Sequence, residues 1–200
     1  MASRRKQEIS EETQRRLIVA ATDLAAEGGS AAMSIQAVAT RSGISRGSVS
    51  WHFGSKDGLL QAVVKESFRW GMDFLRARLE AAPEPGVQAL IEANFVMMSQ
   101  PEARIFSTIL LEAMHPDSTI RAAYAESYAT LRRFYATYLQ SVTAIADYEA
   151  AAVALLAGTL GINIQHRLDP ERVDRRAAVT TLESIYGRGL EDSKQSYNRE

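Results

Sequence analysis

Residues 34–56 read SIQAVATRSGISRGSVSWHFGSK, and this stretch decides the fold. Ser34 can accept a hydrogen bond from the first free N–H groups of a helix. Ile35, Val38 and Ala39 then fall on one helical face. Gly43 breaks that helix, and Ser45 caps a second short helix carrying Val49. Two short helices joined by a tight glycine turn make helix-turn-helix geometry, in which the second helix enters the major groove of DNA. The stretch holds three basic residues, Arg41, Arg46 and Lys56, and no acidic one. A surface that binds a phosphate backbone needs that sign bias, because phosphate neutralisation with counterion release supplies much of the affinity. Ser45, Ser48 and Ser50 can donate to phosphates while letting the helix approach closely. Two amphipathic helices in an ordinary bundle are the plain alternative.

Working outward, a first helix is predicted to start after Ser10, with Glu11 and Glu12 near its positive end. Leu17, Ala20, Ala21, Leu24 and Ala25 form its buried face, and Gly28-Gly29 ends it. Ser55 caps a longer helix running through Leu59, Leu60, Val63, Val64 and Phe68 towards Leu79. Pro83-Glu84-Pro85-Gly86 reads as a linker. Beyond it the pattern predicts helices over 87–99, 101–114, 118–142, 148–167 and 171–187. Asp169-Pro170 is expected to set the start of the last one. In the helix over 118–142, Ile120, Tyr124, Tyr128, Leu131, Tyr135, Tyr138 and Val142 are spaced by threes and fours. No alternating β-branched run with a hairpin signal occurs, so the chain reads as all-α. The expected organisation is a flexible basic arm over 1–10, a helix-turn-helix domain over 11–71 (motif 34–53), a larger helical domain over 72–190 and a polar tail over 191–200.

Composition narrows the function. The 200 residues contain no cysteine, which removes disulfides, thiolate chemistry and cysteine-bound metal. Three histidines, His52, His115 and His166, lie far apart in sequence, which argues against a histidine metal site. No cofactor is called for. No apolar run approaches a membrane span, and the polar N-terminus is not expected to be a secretory signal, so a cytoplasmic protein is expected. Residues 1–76 carry 11 basic and 8 acidic residues, and residues 77–200 carry 12 and 16. A basic front and an acidic back suggest different partners at the two ends. No nucleophile–base–orienter set is visible, so an enzyme is not expected.

The run Gly47-Ser48-Val49-Ser50-Trp51-His52-Phe53-Gly54-Ser55-Lys56-Asp57-Gly58-Leu59-Leu60, preceded by Ile35-x-x-Val38-Ala39 and Gly43-Ile44-Ser45, resembles the signature of the TetR family of bacterial transcription regulators. The resemblance covers about residues 11–71. It implies three N-terminal helices that bind DNA, a fourth leading into a helical core that binds ligand, and dimerisation through a helix pair, here about 148–167 and 171–187. It further implies a homodimer on a double-stranded, palindromic operator, most often as a repressor released by a small effector. Trp51, His52, Ser48 and Lys56 match positions that contact phosphate in the family, and Gln36 and Arg46 match positions that reach base edges. Glutamine suits adenine and arginine suits guanine. Val49 and Phe53 are expected in the core. The family usually has tyrosine where this chain has Ser50, and a serine hydroxyl reaches less far. Arg4-Arg5-Lys6 could enter a minor groove or serve as a solubilising tail, and Arg15-Arg16 could flank the DNA backbone or face solvent.

The larger domain carries aromatic and methionine residues that suit an apolar, planar effector: Trp70, Phe74, Phe95, Met98, Phe106, Met114, Tyr124 and Tyr128. Arg104 and Asn163 are the polar candidates, and plain core packing is the alternative for most of them. His115-Pro116 marks a helix end, and His166 is expected to meet terminal carbonyls. Two other readings stay open: a ligand-independent, DNA-organising protein of the same fold, and a dimerising adaptor that has lost DNA binding.

Overall fold

The computed structural model describes residues 2–197, with side chains from 4 to 187. Among the described residues every regular element is a helix. In order they are α1 (Ala2–Ala32), α2 (Ile35–Ser42), α3 (Arg46–Phe53), α4 (Lys56–Glu80), α5 (Val87–Met97), a 3₁₀ turn at Pro101–Ala103, α6 (Arg104–Thr108), α7 (Leu110–Met114), α8 (Arg121–Val142), α9 (Tyr148–Leu168) and α10 (Arg175–Tyr197). No helix among them is long and apolar enough to cross a membrane.

The chain divides into two compact units, Met1–Trp70 with Pro101–Ser127, and Gly71–Gln100 with Tyr128–Glu200. Residues 101–127, expected within a domain over 72–190, belong by compactness to the first unit, where α6 lies on α1.

In the first unit the predicted face of α1 is buried in full, from Leu17 to Ala25. It packs on α2, which in turn packs on α3. Val38 and Ala39 of α2, Val49 of α3, and Leu59, Leu60, Val63 and Val64 of α4 are buried in the same unit. Each fully buried Leu or Val there contributes about 2 kcal/mol. Phe68, Phe106 and Tyr124 add an edge-to-face cluster with centroids 5.0 and 5.2 Å apart. At the end of α1, Gly28 and Gly29 leave helical geometry, Gly29 with φ +68°, so the predicted stop is a kink followed by one more turn.

In the second unit α5, α9 and α10 pack together. Gly158 on α9 lets Leu182 of α10 approach so closely that a Cβ there would lie 2.9 Å from its Cδ1. Asn94 donates to the Tyr135 hydroxyl at 2.6 Å inside the apolar core. The Tyr138 hydroxyl accepts from the Gly86 amide at 3.1 Å and donates to its carbonyl at 3.3 Å, anchoring the end of the proline linker.

Several boundaries depart from the sequence reading. The basic arm is helical from Ala2, because Arg4–Glu8 and Gln7–Glu11 bond at i,i+4 and carry the helix through Ser10. Met1 lies outside the described residues. The single helix expected over 101–114 is three short pieces. Ser107 and Thr108 hydroxyls both turn back onto the Arg104 carbonyl, and Ile109 leaves helical geometry at φ −104°, ψ 0°. Ile120 is buried as expected, but α8 begins one residue after it. The last helix starts at Arg175 rather than 171. Asp169 closes only one turn, accepting from the Arg172 amide at 3.2 Å. Asp174 is the cap, accepting from the Ala177 amide at 3.0 Å. The expected frayed tail is helical to Tyr197, and residues 198–200 lie outside the described residues.

Candidate nucleic-acid interface

The turn between α2 and α3 is built as the sequence demands. Ser34 caps α2 by accepting from the Ala37 amide at 3.0 Å, and Ser45 caps α3 by accepting from the Ser48 amide at 3.2 Å. Between them Gly43 takes φ +68°, ψ +21°, a left-handed conformation that costs a glycine little. Its amide closes α2 onto the Ala39 carbonyl. Arg16 of α1 adds a tie the sequence reading missed, donating to the Ser42 carbonyl at 2.9 Å. It therefore satisfies the end of α2 rather than facing solvent alone, while Arg15 is forked onto Glu12.

The junction of α3 and α4 is equally tight. Gly54 sits at φ +73°, and its amide bonds the Ser50 carbonyl at 2.8 Å. Ser55 caps α4 through the Gly58 amide at 3.1 Å. Gly58 lies so close to the Phe53 carbonyl that an added Cβ would stand 2.2 Å from its oxygen. No local pattern in the sequence marks Gly58, and only the fold shows why that position needs hydrogen.

On this frame α3 buries Val49, half-buries Phe53, and presents Arg46, Ser50 and Trp51 to solvent. Trp51 is 75% exposed, far more than a tryptophan kept for packing, and rests edge-on against His52 with centroids 4.6 Å apart. Arg46 makes no ion pair among the described residues. Ser48, His52 and Lys56 are half-buried around the same end of the unit, Lys56 being the first residue of α4. Gln36 is exposed on α2 and bonds Thr40 at 3.2 Å. Two members are partly committed elsewhere. Ser45 uses a lone pair as a cap but keeps its hydroxyl proton. Arg41 makes a two-pronged bridge to Glu27 at 2.8 and 3.0 Å, which holds that carboxyl below its usual range. The Arg41 charge is thus largely balanced within the protein.

The candidate effector residues are divided between the two units. Trp70, Arg104, Phe106, Met114 and Tyr124 fall in the first unit, and Phe74, Phe95, Met98, Tyr128 and Asn163 in the second. Phe106 and Tyr124 are core, the Tyr124 hydroxyl donating to the Phe106 carbonyl at 2.6 Å. Met114 is 64% exposed and Arg104 is also at the surface, so neither lines an interior site here. Asn163 is buried and donates to the Thr159 carbonyl of its own helix at 2.7 Å. Phe95 is covered by the guanidinium groups of Arg175 and Arg176, 4.3 and 4.6 Å from its centroid. His166 does meet a carbonyl, that of Val173 at 2.9 Å, beyond the helix rather than within it.

Residues 17–63 match the family model of bacterial regulatory proteins of the tetR family, and residues 83–189 match that of the BetI-type transcriptional repressor C-terminal region. The chain is 31% identical over 161 residues to the HTH-type transcriptional regulator BetI 2 of Chromohalobacter salexigens, with 76% of each chain covered. It is 30% identical over 158 residues to BetI of Paraburkholderia xenovorans, covering 76% of this chain and 80% of that one. Among solved structures, Salmonella enterica GusR superposes with TM-score 0.72 at 24% identity, over 90% of this chain and 96% of that chain. A Saccharomonospora viridis protein in complex with choline superposes with TM-score 0.69 at 20% identity, over 88% and 95%. At these identities the two structures speak to the fold.

Proposed function

The chain belongs to the TetR family of bacterial regulatory proteins, as a DNA-binding transcriptional regulator, and on that premise we propose a repressor whose homodimer reads a palindromic operator and leaves it when a small, largely apolar effector binds. The observation that carries this reading is the surface of α3. Arg46, Ser50 and Trp51 face solvent on a helix whose flanking 23 residues, 34–56, include no carboxylate. Arg46 and Gln36 reach base edges. Ser48, Ser50, Trp51, His52 and Lys56 hold phosphates, with Lys56 at a helix N-terminus where an anion is already favoured. Ser45 adds a hydroxyl proton, and Arg41 acts mainly by bracing α1 against α2.

The partner copy meets this one through α9 and α10. Val153 and Ile185, on those helices, are 51% and 54% exposed in the single chain, as apolar residues awaiting a partner would be. Two recognition helices must sit about 34 Å apart to read a palindrome. An effector held by the region 72–190 that favours another spacing releases the dimer by shifting the population. The Saccharomonospora viridis structure with choline supports a small effector of this size class. The regulator works on DNA in the cytoplasm.

The test is selection of bound duplexes from a random pool, then titration of the winner at several salt concentrations. A palindrome with a steep salt slope is expected, and Lys56→Ala should flatten the slope by about one unit. Weak binding without a palindrome would overturn the operator reading in favour of a DNA-organising protein.

A further inference from the structure

We propose that the groove between α1 and α4 is a second small-molecule site, in the DNA-binding unit itself, and that it takes an organic cation with an apolar body. The groove encloses about 550 Å³, within the roughly 300–1,000 Å³ of small-molecule sites. One wall is a continuous stripe of α1, two residues per turn from Glu11 to Asp23, with Ile18 and Val19 at its middle. This stripe lies beside the one that carries Leu17 and Leu24 into the core, so Ile18 and Val19 form a small apolar patch on α1 outside that core. Val19 is 52% exposed there. The opposite wall is α4, with Trp70 and Ser67, and Glu102 closes one side.

Charge selects the ligand. Both arginines of the lining are already neutralised, Arg15 by the fork to Glu12 and Arg69 by its bridge to Glu66. Glu11, Asp23 and Glu102 are left to set the potential, and among the described residues none of them makes an ion pair. Trp70 is half-buried and stacks on Phe106 at 30° with centroids 6.5 Å apart, which fixes an aromatic surface beside those carboxylates. Carboxylates next to an aromatic face attract an ammonium group, and Ile18 and Val19 accept the apolar remainder. Ser67 supplies an independent pointer. It is 6% exposed, and its Oγ is buried with no hydrogen-bond partner. A buried hydroxyl left unpaired costs about 1–3 kcal/mol, so a ligand N–H that supplies the partner gains from it.

The chain has two tryptophans, so Trp51→Phe leaves Trp70 as the sole reporter in the full-length protein. Titration with phenethylammonium should change Trp70 fluorescence saturably, with 2-phenylethanol about tenfold weaker and phenylacetate without effect. Replacing Glu11, Asp23 and Glu102 together by Gln, Asn and Gln should weaken phenethylammonium about tenfold, since each exposed pair is worth about 0.2–1 kcal/mol. Ser67→Ala should weaken it about threefold more. Glu11, Asp23 and Glu102 are exposed, Ser67→Ala only shortens a buried side chain, and circular dichroism checks the fold. No saturable response, equal affinity for the neutral alcohol, or a triple variant that binds as well as its parent would overturn the site. Binding at this groove that survives when operator release by every tested effector fails would sink the effector reading above and leave this one standing.

Discussion

Gly58→Ala is the substitution on which the geometry of the reading head depends most directly. A Cβ at this position would stand 2.2 Å from the Phe53 carbonyl oxygen and 3.3 Å from its carbon. That is about 1 Å short of the ~3.3 Å at which carbon ordinarily meets a carbonyl oxygen. The obstacle is backbone, so no side chain can swing away. The last turn of α3 or the first turn of α4 must shift by about that 1 Å. Overpacking of this kind costs about 1–3 kcal/mol, and alanine returns up to about 1 kcal/mol of helix propensity. The net loss is about 1–2 kcal/mol, or about 3–6 °C in Tm for a chain of this length. DNA binding should suffer more than stability, because the shift separates Trp51 and His52 on α3 from Lys56 on α4. Gly47→Ala is the control in the same module. The nearest atom to its Cβ would be Ser45 Oγ at 3.9 Å, an ordinary contact, so it should hold or raise Tm. The assay is a thermal melt of both variants followed by titration of the selected operator at fixed salt. A Gly58→Ala protein as stable as its parent and with the same operator affinity would refute the close approach of α3 and α4.

Four other outcomes follow from named contacts. Arg16→Ala removes the donor on the Ser42 carbonyl and should cost about 1 kcal/mol, read by urea denaturation. Tyr135→Phe strips the Asn94 amide of its partner in the core and should cost about 1–3 kcal/mol, and adding Asn94→Leu should recover part of that loss. Glu183 is held above the usual carboxylate range by burial and then by Glu92, so its ionisation opposes folding. The stability gained from its protonated form is complete below the unfolded carboxyl range and is lost as pH rises through the folded value. Glu183→Gln should therefore raise Tm at pH 7 and leave it unchanged at about pH 4. Ser50→Tyr places a phenol on the exposed face of α3 and should tighten operator binding several-fold if that face meets phosphate.

The motif was legible because its chemistry is local. Ser34, Gly43 and Ser45 act on atoms within a few residues, so their order in the chain already states the two caps and the turn. The buried faces of α1 and α8 were legible for the same reason, since a period of 3.6 is written in the sequence. The failures have the opposite character. Asp169-Pro170 and Asp174 are both good helix starts by residue type. The sequence offers no way to see that the His166 ring occupies the Val173 carbonyl, which sits between them. Arg16, Arg41 and Gly58 each answer to an atom that only the fold brings near: the Ser42 carbonyl, the Glu27 carboxylate and the Phe53 carbonyl.

That division bears on how the two arginines next to the motif should behave. Arg41 and Arg46 are chemically identical and five residues apart, and a count of positive charge treats them alike. In the fold Arg41 is neutralised by two hydrogen bonds to Glu27, and Arg46, exposed at the start of α3, makes no ion pair among the described residues. Counterion release rewards only the charge that is free to meet phosphate or a base. Arg46→Ala should therefore lower operator affinity about tenfold or more and relax the preference at one base pair. Arg41→Ala should leave the salt slope nearly unchanged and act through stability. Glu27→Gln separates the two explanations. It frees the Arg41 guanidinium, so if the bridge masks a phosphate contact, operator affinity should rise and the salt slope steepen. An Arg41→Ala variant that loses affinity as Arg46→Ala does, with a matching fall in slope, would show that DNA breaks the Glu27 bridge and that Arg41 belongs to the reading surface after all.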